Sequence, residues 1–103
     1  MFNLDKKFEL INTICFSQEL NLIPIEFKNN GGKDAVFISE PLSIELNSRY
    51  KKDESGLELM LLHEMVHYWI FLNKTPKEEH DDNFMKKLAE AERLWGNYKL
   101  SSL

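Results

Sequence analysis

The segment Leu61–His67, LLHEMVH, constrains this chain more than any other stretch. His63 and His67 flank Glu64 in an H-E-x-x-H pattern inside a long apolar run. Residues four apart share one face of an α-helix, about one turn from each other. Both imidazoles then reach a single metal ion while the backbone keeps its helical hydrogen bonds. Glu64 sits beside the first ligand, within reach of a water on that ion. Two ligands and a base on one rigid turn form the pattern of a zinc-dependent hydrolase. The bland alternative is a pair of core histidines, but it leaves a carboxylate to be buried without a partner. That costs on the order of several kcal/mol, and a metal removes the difficulty.

Zinc takes four ligands, and a hydrolytic site keeps one position for water, so a third protein ligand is expected. The remaining histidine is His80, between the metal helix and the last helix. Glu78, Glu79, Asp81 and Asp82 compete with it as carboxylate ligands, and ligand softness favours His80. In the expected chemistry Glu64 is the general base. It takes a proton from the zinc-activated water and passes it to the leaving amine. Arg49, Tyr50 and Tyr68 are candidates to support the developing oxyanion. Asp81, Asp82 and Glu58 are candidates to orient the imidazoles. Falling pH protonates the ligands and Glu64, so metal and activity are expected to be lost together.

The surrounding pattern reads as α+β. Leu4, Phe8, Ile11 and Cys15 recur on one face of a first helix, from about Asn3 to Asn21. Asn3 is its expected N-cap, and Asp5, Lys6, Glu9, Asn12 and Glu19 lie opposite the apolar face. Ile23–Lys28 alternates as a strand with Pro24 at its start. Residues 29–34, NNGGKD, tolerate positive φ and suggest a hairpin loop. Ala35–Ser39 and Leu42–Asn47 complete a small antiparallel sheet of three strands. Ser55-Gly56-Leu57-Glu58 has the form of a capping box opening the metal helix, which runs to about Asn73. That helix is apolar nearly all round, so it is expected to be central and buried. A last helix from about Asp82 is expected to end near Gly96–Asn97. Trp69, Phe71, Phe84 and Trp95 read as core aromatics.

A length of 103 residues suits a single domain, 1–103, with one modest core. The net charge of −4 argues against a general nucleic-acid-binding surface. Lys51-Lys52 and Lys86-Lys87 read as solvated loop and helix face. One cysteine, Cys15, excludes an intramolecular disulfide and a cysteine-rich zinc ribbon. No signal peptide and no apolar window long enough to span a membrane is evident, so a cytoplasmic setting is expected.

From about Leu20 to Trp95 the chain resembles the SprT-like zinc metallopeptidase domain. The resemblance rests on Leu61–His67, matching the family's Leu-x-His-Glu-Met-x-His, and on His80-Asp81-Asp82-Asn83-Phe84. The second segment is similar to the His-Gly-x-x-Phe that opens the family's following helix. Asp81 stands where the family has glycine, and with one cysteine the zinc ribbon that many members carry is not expected in this stretch. The resemblance implies a minimal zincin in which His63, His67 and His80 bind zinc and Glu64 is the base. It implies a protein or peptide as substrate. DNA-linked members rely on further modules for DNA contact, so direct nucleic-acid binding is not implied. A protease of a mobile element that cleaves one dedicated partner, and a catalytically silent zinc-stabilised binding module, are the competing expectations.

Overall fold

The computed structural model describes residues 3–29, 31–73 and 82–102. Three helices and three strands follow one another as α1 (Leu4–Cys15), β1 (Ile25–Phe27), β2 (Ala35–Ser39), β3 (Leu42–Leu46), α2 (Glu54–Leu72) and α3 (Asp82–Ser101). A 3-10 turn, Ser48–Lys52, joins β3 to α2. The class is α+β, with α2 between the sheet and the α1–α3 pair.

The sheet is mixed, where an antiparallel one was expected. Its strand order is β1-β3-β2. β2 and β3 pair antiparallel, but β1 runs parallel to β3, with Ile25 opposite Ile44 and Phe27 opposite Leu46. Burial explains the order. Ile44 and Leu46 are both fully buried, whereas β1 and β2 are half-buried strands, so β3 takes the centre. The connection after β1 therefore crosses to the far edge of the sheet and is no hairpin. The tight turn lies instead at Glu40–Pro41, which has a cis peptide bond.

α1 begins as expected, with the Asn3 side chain accepting from the Lys6 N–H. It stops earlier than its pattern suggests, because Ser17 and Gln18 take positive φ. Asn12, expected on the solvent face, is buried and holds the returning chain. Its amide donates to the Leu20 carbonyl at 2.7 Å, and its oxygen accepts from the Leu20 N–H at 3.1 Å.

α2 is capped by Asp53, whose carboxylate accepts from the Gly56 N–H at 3.0 Å; Ser55 already lies within the helix. Leu57, Leu61, Leu62, Met65 and Val66 are fully buried. Each contributes about 1.5–3 kcal/mol on removal from water. The cover is incomplete, since Leu59, Phe71 and Leu72 remain exposed. Phe84 and Trp95 are core aromatics as expected, whereas Phe71 is not. α3 continues through Gly96 to Ser101. Trp95 stacks on Tyr98 at 5.3 Å, and Lys99 reaches Glu58 on α2 at 3.1 Å. These contacts offset the roughly 1 kcal/mol that a mid-helix glycine costs. Among the described residues no helix is long and apolar enough to cross a membrane.

Candidate active site

Helical spacing on α2 brings His63, Glu64 and His67 together. One donor atom from each lies within 4.8 Å of the others. The imidazole centroids are 5.1 Å apart and the rings are inclined at 66°. Both rings are half-buried, and Glu64 is buried. Two nitrogens on one tetrahedral zinc stand about 3.3 Å apart, so small side-chain rotations suffice to close on an ion. The donor chemistry of the two imidazoles also suits zinc.

α3 supplies the packing that orients the rings. Phe84, in its first turn, lies with its ring centroid 4.3 Å from that of His67 and 5.2 Å from that of His63. The start of α3 is thereby held against the candidate ligands. His80, the expected third ligand, lies outside the described residues, as do Glu78, Glu79 and Asp81. Asp82 is exposed at the first position of α3.

Facing α2 across a cavity of about 310 Å³ is the start of β2. Lys33, Ala35, Val36 and Phe37 form this wall, with His63, Glu64 and His67 opposite. β2 is an edge strand of the sheet. The Asn47 N–H donates to the Asp34 carbonyl at 2.8 Å, which sets the phase of the β2–β3 ladder. Bonded and non-bonded pairs alternate along an antiparallel ladder. Val36 and Ile38 therefore direct their backbone groups at β3, and Ala35 and Phe37 turn theirs toward the open edge. The Phe37 ring stacks on Tyr68 at 5.6 Å, which ties this edge to α2.

Among the described residues, Glu58, Arg49, Tyr50 and Tyr68 do not take the supporting roles expected from sequence. Glu58 is buried, but its carboxylate is engaged by Lys7 at 2.7 Å and Lys99 at 3.1 Å. It binds the three helices together and does not orient the imidazoles. The Tyr68 hydroxyl donates to the Asn21 carbonyl at 3.0 Å. Burial pushes its pKa up. Arg49 pairs with Asp34 and lies over the Tyr50 ring. None of Arg49, Tyr50 and Tyr68 lines the cavity. Lys33 does line it, although its sequence context signals only a turn. The one available clue is its place two residues before an edge strand.

The SprT-like family model matches residues 4–102, a longer stretch than the motifs alone cover. No curated protein matches the sequence. Among solved structures, the metallopeptidase zymogen of Methanocaldococcus jannaschii, jannalysin, is similar over 100% of both chains. Its TM-score is 0.64 at 20% identity, a likeness of fold.

Proposed function

The chain belongs to the SprT-like family, and on that premise we propose that it is a zinc-dependent peptidase. One observation carries the reading: His63, Glu64 and His67 converge on a cavity whose other wall is the open edge of a strand.

His63 and His67 are the residues that would hold the ion, and His80 is proposed as the third. The contact of Phe84 with both imidazoles supports that choice, because His80 precedes Phe84 by only four residues in sequence. A zinc ion there supplies Lewis-acid polarisation and brings the pKa of a water to about 7. The Glu64 carboxylate accepts the proton of the attacking water and delivers it to the departing amine nitrogen. Phe84 keeps the imidazoles oriented and shields them from solvent. An extended peptide adds to the edge of β2, with its backbone bonded to Ala35 and Phe37. The neighbouring strand β3 is central and has no open edge to offer. Strand addition reads backbone before side chains. The substrate is accordingly an extended segment of a protein or peptide. A cytoplasmic setting belongs to the same reading, supported by a single buried thiol, Cys15.

The test pairs zinc stoichiometry with peptide cleavage for the wild type and Glu64→Gln. Both proteins are expected to bind one zinc. The variant is expected to lose about 10²–10⁴-fold in kcat, the usual contribution of a general base. Equal cleavage by the two would refute the role of Glu64. Zinc retained at full strength by His80→Ala would refute the third ligand. Zinc binding without cleavage by the wild type would favour the silent binding module.

A further inference from the structure

We propose that Lys33 is a specificity-determining residue of this cavity, selecting peptides that present a carboxylate beside the strand-binding edge; the inference rests on the peptidase reading above. The cavity is lined by one ammonium, Lys33, among the described residues. Its position is built from below. The Lys33 carbonyl accepts from the buried Asn47 side chain at 3.0 Å, and the Asn47 N–H holds the next residue, Asp34, at 2.8 Å. Gly31 and Gly32, at φ 68° and 82°, turn the incoming chain so that Lys33 arrives at the start of β2.

The carboxylate nearest in sequence does not neutralise it, since Asp34 is taken by Arg49. Lys33 joins no ion pair among the described residues. The result is an exposed cation with an anchored backbone, at the rim of a partly enclosed site. Side chains alternate along an added strand, so every second residue of a bound peptide faces the same way. A substrate carboxylate in that register meets Lys33 at the end of the cavity. The shared chemistry is a carboxylate, from either an Asp or Glu side chain or a free peptide C-terminus.

Binding is read on zinc-loaded Glu64→Gln protein by fluorescence anisotropy, with labelled peptides of one backbone. One series moves a single Glu, against Gln, along the peptide; another compares a free C-terminus with its amide. In the Lys33 background one carboxylate position is expected to tighten binding about threefold to tenfold, shrinking with salt. Whichever series shows the effect identifies the source. Lys33→Ala is expected to bring that ratio to about one, and Lys33→Glu to invert it toward a peptide carrying Lys. Ratios near one in all three proteins overturn the proposal. So does an unchanged ratio in Lys33→Ala; an equal kcat loss for neutral and acidic peptides, read on Lys33→Ala with Glu64 intact, would then make Lys33 an oxyanion group. An unchanged ratio accompanied by new self-association of Lys33→Ala also overturns it, by showing Lys33 to be a guard against edge pairing. Failure of the peptidase reading is seen separately, as absent cleavage of every peptide by zinc-loaded wild type.

Discussion

At the scale of single residues, Asn12 and Cys15 illustrate how burial changes the meaning of a side chain. Asn12 satisfies both backbone groups of Leu20 where the chain leaves α1. Asn12→Ala removes both partners inside a buried turn. It is expected to cost about 1–3 kcal/mol, measured as a lower urea midpoint with an unchanged slope. Cys15 has its pKa pushed up to about 11 by burial, against a smaller opposing pull from Lys87. Its Sγ also donates to the Ala91 carbonyl at 3.4 Å. Thiolate is the reactive form, so the folded protein is expected to resist a thiol reagent at pH 8. Modification should follow the unfolding transition as urea is added; rapid reaction in native buffer would contradict the burial. Lys87 adds a third case. It was read as part of a solvated face, yet its ammonium lies 4.4 Å from the Trp69 ring centroid and 5.3 Å from that of Phe16.

At the scale of elements, two glycines separate local propensity from packing. Gly96 lies inside α3, and a Cβ there meets nothing within 4 Å. Gly96→Ala is expected to stabilise the fold by up to about 1 kcal/mol, visible as a higher Tm. Gly56, in the first turn of α2, differs. A Cβ there runs into the Asp53 carboxylate and approaches Tyr50 at 3.0 Å. Gly56→Ala is expected to destabilise by about 1 kcal/mol, the worth of the cap it displaces. A pair of thermal melts checks both signs. The helices themselves were legible in sequence, because amphipathic spacing and caps are local signals. α1 and α3 nevertheless ended where contacts decided: α1 short at the Asn12 turn, α3 long through Trp95 and Lys99. In the sheet, alternation marked three strands but not their order.

At the scale of the whole molecule, Lys7, Glu54, Glu58 and Lys99 join the three helices behind the site. Burial opposes the charge on Lys7, but hydrogen bonds to Glu54 and Glu58 outweigh it and raise its pKa above the ordinary 10.5. The hydrogen bond from Lys7 holds Glu54 below its ordinary 4.5. A raised lysine stabilises fully below pH 10.5 and loses that stabilisation as pH climbs through its folded value. A lowered carboxylate stabilises fully above pH 4.5 and loses that stabilisation as pH falls through its folded value. The stability difference between wild type and Lys7→Met is therefore expected to be flat between these limits and to shrink beyond each. Urea midpoints across the pH range measure it, and a difference that grew at either extreme would contradict the network.

Helical period alone determined that His63 and His67 share one face, because a spacing of four residues has only one geometric outcome in a helix; Glu64 stands beside them, three residues before His67. The same local physics marked α2 as the interior helix and separated the strands from the loops. Tertiary structure decided which strand stands at the centre, which edge opens on the site, and that Lys33 and Glu64 line one cavity. It also decided that Glu58 serves the lysines and not the imidazoles. Periodicity encodes which way a side chain faces, whereas what it meets there depends on how separate elements dock. Closing a longer loop costs little more than closing a short one, so distance along the chain gives almost no information about such meetings.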